Sequence, residues 1–413
     1  MKKISRDAYL NKLISKKNNG LIKIVTGIRR CGKSYLLDPL YKNYLLENGI
    51  AEDHIIKLDL DERINKEYLN PDNLDLYVRS MIKDNENYYL ILDEIQKVDD
   101  FESVLNGFLH IDNLDVYVTG SNSKFLSSDI ITEFRGRGDE IRVYPLNFRE
   151  FLSAFEGSEK EAWNQYVMYG GMPRTLSLNS EVEKSEYLKR LLQHTYLSDI
   201  IERNKVQRVD VLDSLVNILA SSIGSLTNPN KLANTFESNG VKGVSASTLN
   251  SYIAYLQDSF LIQKAERYDV KGKKYIQTPY KIYFSDIGLR NSRLNFRQQE
   301  ETHIMENIIY NELLYRGYNV DVGVVEIREG NDKKQIEIDF VCNQFNKRYY
   351  IQSALSLPTR EKTIQEEKPL LNIRDNFKKI IIVKEDMKPW ISEEGILVIG
   401  LLEFLKDPNS MDL

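Results

Sequence analysis

Two short stretches of the chain combine residue types that bind and activate a nucleoside triphosphate. The first, Gly27–Ser34, reads GIRRCGKS, with an apolar run before it and an amphipathic run after it. Glycines at these two positions let a loop turn its amide groups towards phosphate oxygens. Lys33 would then reach the β- and γ-phosphates, and the Ser34 hydroxyl would ligate Mg²⁺. The spacing Gly-x-x-x-x-Gly-Lys-Ser therefore predicts a phosphate-binding loop.

The remaining loop positions leave alternatives open. Arg29 and Arg30 are placed to contact either phosphates or a partner. Cys31 is either a small residue in a tight turn or a thiol whose oxidation would crowd the phosphates. We expect the nucleotide to contact the loop and the residue after it, and this set is Gly27, Ile28, Arg29, Arg30, Cys31, Gly32, Lys33, Ser34 and Tyr35.

The second stretch, Tyr88–Glu94, reads YYLILDE, an apolar run that ends in two acids. This pattern is typical of the Walker B motif, in which acids stand at the carboxyl end of a buried strand. Asp93 is then a Mg²⁺ ligand, directly or through water. Glu94 would orient and deprotonate the attacking water.

Two further segments offer residues for the γ-phosphate. Val116–Ser123 ends in small polar residues, of which Asn122 or Ser121 would hydrogen-bond the γ-phosphate or the lytic water, while Ser123 would equally cap a helix. We favour Asn122 as this sensor. Arg137, or Arg135, lies in a glycine-flanked turn and is a candidate arginine finger, acting within the chain or on a neighbouring copy. A solvated arginine is the alternative.

Strands and helices alternate at short intervals in the first part of the chain, which is typical of a parallel α/β sheet. The predicted strands are Leu21–Thr26, His54–Asp59, Tyr88–Asp93, Asp115–Gly120 and Glu140–Tyr144. The pattern becomes helical from Phe148 to about Ser225. Two short helices and a hairpin then predict a winged helix up to about residue 298. The last part mixes strands with helices.

Composition excludes several classes of protein. With 42% apolar and 28% charged residues, a net charge of −5, two cysteines and four histidines, the chain has no disulfide framework and no zinc cluster. The N-terminus has no apolar segment after its charges, and no stretch is apolar for long enough to span a membrane. These features predict a cytoplasmic protein without a membrane partner.

Several stretches together resemble a known family: GIRRCGKS, YYLILDEIQ, VYVTGSNS, FRGRGDEIRVYPLNFREF, YGGMP, IYFSDIGLRN and MENIIYNELLYRGYNV. The combination is similar to bacterial and archaeal ATPases that join an AAA-type (AAA_14) P-loop domain to a DUF4143 C-terminal region, relatives of the STAND and archaeal ATPases. The resemblance covers nearly the whole chain. It implies Walker A roles for Lys33 and Ser34, Walker B roles for Asp93 and Glu94, and the sensor role for Asn122.

The resemblance also implies the architecture. The fold class is α/β, a P-loop NTPase core of the ASCE type with parallel sheet order 5-1-4-3-2. A helical connector, a winged helix and a restriction-endonuclease-like α/β domain follow it. The predicted domains are 1–150, 151–225, 226–298 and 299–413.

In such nucleases an Asp, a Glu or Gln two residues before a Lys, and often a helical Glu form the site of a divalent cation. Here Asp339 and Gln352 match, Ala354 stands at the lysine position, and Glu306 or Glu312 is the helical acid. Alanine cannot activate water, so we expect the fold without cleavage. Lys362 would be the substitute if activity remained.

Phe260–Arg297 carries nine basic and three acidic residues, which supports contacts with the phosphates of double-stranded DNA. The first hypothesis is a Mg²⁺-dependent ATPase that controls a winged-helix and nuclease-like module, on DNA. The second is a slow nucleotide-gated switch that binds a protein partner or a second copy of itself. A small-molecule kinase is the third, and the chain shows no evident lid motif for an acceptor.

Overall fold

The computed structural model describes residues 4–120, 136–297, 300–329 and 332–413. Its contacts divide the chain into two units, Met1–Pro145 with Asp258–Phe260, and Leu146–Gln257 with Leu261–Leu413. Within the described residues, no helix has both the length and the apolar character that crossing a bilayer requires.

The first unit is built on a parallel sheet of five strands, β1 (Ile22–Thr26), β2 (Ile55–Asp59), β3 (Tyr88–Asp93), β4 (Leu114–Thr119) and β5 (Gly138–Arg142). Their order across the sheet is β2-β3-β4-β1-β5. All residues of β1 and β3 are buried, as expected of parallel strands that are covered on both faces. The predicted order is confirmed, and the predicted strand ends lie within two residues of the observed ones.

The α-helices of this unit are α1 (Asp7–Ser15), α2 (Lys33–Tyr35), α3 (Lys42–Glu47), α4 (Pro71–Met81) and α5 (Phe101–Phe108). The start of α4 is well specified by its sequence. The Asn70 side chain accepts the backbone N–H groups of Asp72 and Asn73, and Pro71 occupies the first turn. Leu74 and Val78 of this helix then pack into the apolar core of the sheet.

The helix after the phosphate-binding loop differs from the prediction. We expected one continuous amphipathic helix, but only Lys33–Tyr35 is α-helical before a π-helical segment, Leu36–Tyr41. Asp38 inside this segment has non-helical angles, φ −139° and ψ 117°. The cause is Pro39, because a proline disfavours the helical conformation of the residue before it.

The second unit begins with helices. They are α6 (Phe148–Ala154), α7 (Glu159–Tyr169), α8 (Glu181–Arg190), α9 (Ser198–Arg203), α10 (Val209–Ser221), α11 (Pro229–Ser238), α12 (Ala246–Asp258), α13 (Ile287–Arg293), α14 (Glu301–Tyr315), α15 (Arg360–Leu371) and α16 (Leu401–Lys406). Capping boxes fix the starts of α6, α7 and α8, each pairing an Asn or Ser with a Glu three residues later.

An eight-stranded mixed sheet completes this unit. Its strands are β6 (Ile262–Asp269), β7 (Lys274–Phe284), β8 (Asn319–Glu329), β9 (Asp332–Gln344), β10 (Lys347–Ala354), β11 (Lys378–Val383), β12 (Trp390–Ile391) and β13 (Leu397–Gly400). The order is β12-β13-β11-β10-β9-β8-β6-β7. The hairpin β6–β7 is the predicted wing, and β6 pairs in parallel with β8 at Arg267–Asp269. One sheet therefore crosses residue 298, where we predicted a domain boundary. The winged-helix assignment and the four domain bounds remain predictions.

Two of the stretches that carry the resemblance lock together in this unit. Gly171, in YGGMP, donates its N–H to Asp286 Oδ2 at 2.7 Å, and its carbonyl accepts from Leu146 N. Asp286 also caps α13 by accepting from Leu289 N at 3.0 Å. The backbones touch so closely that a Cβ on Gly171 would lie 2.0 Å from the Leu146 carbonyl oxygen, and one on Gly288 would lie 2.0 Å from that of Tyr169. Larger residues cannot be accommodated at Gly171 and Gly288 without a shift of the backbone.

Candidate functional site

The phosphate-binding loop joins β1 to α2 and is shaped by its glycines. Gly27 has φ 134°, and a Cβ there would lie 2.1 Å from the carbonyl oxygen of Val143. Gly32 has φ 103°, a backbone angle that residues other than glycine rarely adopt. Arg30 is also left-handed, with φ 62°. The strand-loop-helix context that the motif requires is therefore present.

Lys33 is directed back across the loop that precedes it. Its side chain is 5% exposed, and Nζ donates to the carbonyl oxygens of Gly27 at 3.0 Å and Ile28 at 3.3 Å. A buried ammonium group needs such partners, because an uncompensated charge is strongly disfavoured. The ammonium group of Lys33 therefore lies on the inner side of the loop.

The other loop residues divide by exposure. Ile28 and Cys31 are buried, and the Cys31 Sγ packs 3.5 Å from the Val143 carbonyl oxygen. This favours Cys31 as a small residue that fills a tight turn. Arg30 and Ser34 are exposed, and Arg29 and Tyr35 are half-buried.

Asp93 ends β3 and is held by two hydroxyl groups. Thr119 Oγ1, at the end of the adjacent β4, donates to Asp93 Oδ1. The Ser34 hydroxyl also bonds the Asp93 carboxyl group. Burial raises the pKa of Asp93, with further increases from Glu94 and Asp59, while the Thr119 and Ser34 hydroxyls lower it. A carboxylate in such surroundings is suited to a divalent cation, which would compensate its charge. Ser34 and Asp93, the two predicted Mg²⁺ ligands, are in contact.

Glu94 follows Asp93 in the left-handed conformation, with φ 57° and ψ 44°. Its N–H donates to Thr119 Oγ1 at 3.0 Å, and its carboxylate accepts from Gln96 Nε2. A non-glycine residue in this region costs on the order of 1 kcal/mol, which the surrounding contacts must offset. The backbone and Gln96 together fix where the Glu94 carboxylate lies.

Sequence reasoning missed three residues at this edge. Thr119 and Gln96 stand inside the stretches quoted above, but their roles depend on which strands are adjacent. The third is Asp59, which ends β2 directly opposite Asp93. Lys57 binds Asp59 at 2.9 Å and Asp38 at 2.5 Å, and these bonds raise its pKa although burial lowers it. Lys57 therefore balances part of the negative charge beside Asp93.

The predicted sensor lies outside the described residues, as do Ser121, Ser123 and Arg135. Asn122 follows β4, whose end is described up to Thr119 and Gly120 at the same edge as Asp93. Its role stays a prediction.

Arg137 is placed away from the phosphate-binding loop. Its carbonyl accepts from the N–H of Ile22, the first residue of β1, and its Nη1 donates to Asn106 Oδ1 at 3.0 Å. The loop follows Thr26 at the other end of this strand, ~13 Å away at about 3.3 Å per residue. These contacts do not bring Arg137 beside the loop, because β5 starts next to the opposite end of β1, and its action on the nucleotide of its own chain stays a prediction. A role on a neighbouring copy stays a prediction.

Several of the nuclease-like candidates of the second unit lie in separate contacts. Ala354 is buried in an apolar core with Leu370 of α15. Lys362 binds Glu366 one turn further along the same helix. Glu312 binds Arg316 at 2.8 Å and accepts from Asn147 at 3.1 Å. Gln352 Oε1 is buried and has no hydrogen-bond partner among the described residues.

Asp339 and Glu306 do share a cluster, and Lys281 of β7 lies within it. Lys281 Nζ is 2.7 Å from Glu306 Oε1 and 2.7 Å from Glu337 Oε1. Asp339 is near enough to raise the pKa of both Lys281 and Glu306, and its Oδ2 accepts from the backbone and hydroxyl groups of Ser353.

The predicted basic patch is partly internal. Lys281 and Arg290 are buried, and Arg290 Nε donates to the Ala220 carbonyl. Arg293 binds Asp213 at 2.6 Å, and Lys264 binds Glu266 at 2.9 Å. Lys281, Arg290 and Arg293 thus contact other elements of the second unit, and Lys264 pairs within its own strand, so the nine basic residues do not form one exposed surface. The exposed cations of this stretch are Lys271, Lys273 and Lys274 at the turn of the hairpin, and Arg297.

Two family models match the chain. Residues 19–152 match a model described as "AAA domain", and residues 160–300 match "Domain of unknown function (DUF8612)". The first region is thus an AAA-type P-loop domain, as the resemblance implied. The second match is to a family other than DUF4143, and the DUF4143 assignment remains a prediction.

Relatives align with nearly the entire chain. A protein of Haemophilus influenzae described as "Uncharacterized protein" is 34% identical over 409 residues, which are 97% of this chain and 98% of that protein. A protein of Methanocaldococcus jannaschii with a similar description is 29% identical over 404 residues, 93% of this chain and 86% of that protein.

Solved structures are similar at lower identity. The Aeropyrum pernix Orc1 protein in complex with DNA is 11% identical, covering 71% of this chain and 93% of that one, with a TM-score of 0.28. AMPPCP-bound DnaA from Aquifex aeolicus is 14% identical, covering 62% and 89%, with a TM-score of 0.32. Both scores are too low to support an inference about what this chain binds.

Proposed function

We propose that this chain, which belongs to the same family as its Haemophilus influenzae relative, binds ATP together with Mg²⁺ at the carboxyl edge of the parallel sheet and hydrolyses it. The observation that carries the proposal is the contact between Ser34 and Asp93. It joins the end of the phosphate-binding loop to the end of β3, and each residue is of a type that ligates Mg²⁺.

Each residue of this edge has a separate role in the proposal. The amide groups of the loop and Lys33 would hold the β- and γ-phosphates. Ser34 and Asp93 would ligate Mg²⁺, whose charge stabilises the developing negative charge of the transferred phosphoryl group. Glu94, positioned by Gln96 and Thr119, would orient and deprotonate the attacking water. Asn122 is proposed as the sensor.

Nucleotide binding by the full-length chain tests the first step. Isothermal titration with a non-hydrolysable ATP analogue should give tight binding with Mg²⁺ and weaker binding with EDTA. Lys33→Ala should abolish binding, and Asp93→Asn should remove the Mg²⁺ dependence. Glu47→Gln, at an exposed helix end, is the matched control and should bind like the wild type. Equal binding with and without Mg²⁺ would contradict the proposed ligand pair.

Two kinds of molecule are candidates for the partner whose binding depends on the bound nucleotide. The exposed Lys271, Lys273 and Lys274 favour contact with the phosphates of double-stranded DNA. The internal contacts of Lys281, Arg290 and Arg293 leave fewer cations for DNA, and the alternative is a slow switch that binds a protein partner or a second copy. We propose the DNA-linked function, with the second unit as the responding module.

Hydrolysis rates with and without duplex DNA separate these candidates. The DNA-linked function predicts stimulation that falls steeply with salt, and that Lys271→Ala with Lys273→Ala and Lys274→Ala removes. A rate of hydrolysis that DNA does not change at low salt would favour the protein partner. If the rate per chain rises with enzyme concentration, and Arg137→Ala removes this rise, Arg137 acts on a neighbouring copy.

A further inference from the structure

The acidic cluster of the second unit already contains a cation that belongs to the chain. Lys281 comes from β7, Glu306 from α14 and Glu337 from β9. The ammonium group lies 2.7 Å from a carboxylate oxygen of each acid. Three elements that are separate in sequence are thus joined at a single positive charge.

The geometry of this cluster does not fit a divalent cation. Such a site needs several carboxylate oxygens converging on one point, with the remaining positions taken by water. Here the point between Glu306 and Glu337 is taken by Lys281 Nζ. Among the described residues, no three Asp, Glu, His or Cys side chains are arranged to hold a metal ion.

The cluster is also enclosed. Lys281 and Glu306 are 4% and 7% exposed. Tyr283 donates its hydroxyl to Glu306 Oε1. On the other side, a Cβ on Gly224 would lie 3.1 Å from Glu306 Oε2, so the backbone passes close over that oxygen. Glu337, at 34%, is the more exposed member.

The acids of the cluster keep the ammonium group of Lys281 charged at neutral pH. Burial acts to lower the pKa of Lys281, but Glu306, Asp339 and Glu337 raise it above its ordinary value. Burial raises the pKa of Glu306 to about 7, and Lys281 opposes that shift. Removing one partner of a buried pair leaves the other charge uncompensated, which is strongly destabilising.

We propose that the ammonium group of Lys281 occupies the position among Glu306, Glu337 and Asp339 that a divalent cation holds in metal-dependent nucleases. The eight-stranded sheet retains these acids, an internal cation neutralises part of their charge, and the site does not cleave nucleic acid. Lys281 belongs to the basic stretch Phe260–Arg297, and in this proposal it is a metal substitute within the fold. This inference does not depend on the proposed ATPase activity.

Manganese binding by the full-length chain tests this inference. The probe is free Mn²⁺, measured by its EPR signal without nucleotide, and all proteins carry Asp93→Asn so that the sheet edge of the first unit contributes no Mg²⁺-type site. This background should not bind Mn²⁺. Adding Lys281→Met should create about one Mn²⁺ site per chain and a rise of several degrees in Tm with excess Mn²⁺. Lys264→Met, on the same hairpin but paired with Glu266, is the matched control and should behave as the background.

Two results would overturn the inference. One is a folded Lys281→Met protein that gains no Mn²⁺ site. The other is Mn²⁺ binding by the background that Glu306→Gln removes, above all if Mn²⁺-dependent cleavage of plasmid DNA accompanies it and requires Lys281. If Lys281→Met does not fold with or without Mn²⁺, the protein that carries Asp93→Asn alone is the test. If it neither binds Mn²⁺ nor cleaves plasmid DNA, the inference is supported. If it binds Mn²⁺ and Glu306→Gln removes the binding, the inference is contradicted.

Discussion

Thr119 bonds Asp93 through the same hydroxyl group that receives the N–H of Glu94 at 3.0 Å. A single buried side chain on β4 thereby contacts Asp93, the last residue of β3, and Glu94, which follows it. The proton of the hydroxyl group points to Asp93, so the Asp93 carboxylate is an acceptor and keeps its other lone pairs for a cation. The positions of Asp93 and Glu94 therefore depend on a strand that supplies neither of them.

The Thr119 hydroxyl should matter for Mg²⁺ use. Thr119→Val keeps the shape of the side chain but leaves the buried Asp93 and the Glu94 N–H without this partner. We expect the rate of ATP hydrolysis to fall about 10- to 100-fold, as is typical when a residue that orients metal ligands is removed, with a higher Mg²⁺ concentration at half-maximal rate. Thr119→Ser should restore most of the rate. Steady-state hydrolysis over a Mg²⁺ titration measures this, and an unchanged Mg²⁺ profile in the valine variant would rule the role out.

The fold of the first unit could be predicted from sequence to a large extent. Buried parallel strands are nearly continuous apolar runs, and the loop between Gly27 and Ser34 requires a strand before it, so β1 and β3 follow from local patterns. The positions of Arg137 and Asp59 could not be predicted in this way. Each is set by which strand end lies beside which, and that is a property of strand order and register.

The second unit was less predictable for a related physical reason. The hairpin turn at Val270–Lys273 and both hairpin strands were visible in the sequence, but the pairing of β6 with β8 was not. A run of basic residues is also ambiguous, because Lys281 and Arg290 look the same in sequence as the exposed Lys273. Their burial depends on partners more than twenty residues away, such as Glu306 and the Ala220 carbonyl.

Gly171 should not tolerate a methyl group. Its added Cβ would lie 2.0 Å from the Leu146 carbonyl oxygen, and the obstacle is backbone, which cannot rotate away. We expect Gly171→Ala to lower the free energy of unfolding of the second unit by about 3 kcal/mol, the upper end of the range that is typical of overpacking. Urea denaturation measures the change.

Gly107→Ala is the control for that substitution. Gly107 lies in α5, and the nearest atom to its added Cβ is 3.9 Å away, at the end of the Arg79 side chain. Alanine should be neutral there or stabilise the helix by up to about 1 kcal/mol. Equal effects of the two substitutions would show that the close approach at Gly171 does not exist in solution.

Asp286 should make stability depend on pH. Burial raises its pKa to about 6, although the N–H groups of Leu289, Gly171 and Gly288 lower it. The folded state then binds more protons than the unfolded state between about pH 4 and about pH 6, so the free energy of unfolding falls as pH rises through this range and levels off above it. At about 1.4 kcal/mol per pKa unit, the loss is about 3 kcal/mol.

Comparison with Asp286→Asn isolates this contribution from those of other groups. The amide does not titrate, so the difference in urea stability between the two proteins should change between about pH 4 and about pH 6 and stay constant above. Asp286 accepts hydrogen bonds from backbone N–H groups with both carboxyl oxygens, and asparagine replaces one of these oxygens with an NH₂ group, which cannot accept. The variant should therefore be the less stable protein at about pH 4. A difference that is constant over the whole range would contradict the raised pKa.

Both cysteines should be unreactive in the folded protein. Cys31 and Cys342 are fully buried, and burial also raises the pKa of the Cys342 thiol, which lowers its thiolate fraction. A chromogenic disulfide reagent should label neither thiol until the chain is unfolded with denaturant. Rapid labelling of one thiol, lost in Cys31→Ala, would contradict the packing of the loop and restore oxidation of Cys31 as a means of control.

The central claim is that the acids at the end of β3 hydrolyse ATP held by the phosphate-binding loop. The most direct test is single-turnover hydrolysis of radiolabelled ATP by the wild type and Glu94→Gln, with nucleotide binding measured on the same samples. We predict that Glu94→Gln binds Mg²⁺-ATP as the wild type does, while its rate falls by about 100-fold or more, since only the general base is removed. Hydrolysis at the wild-type rate in the Glu94→Gln protein would contradict the account.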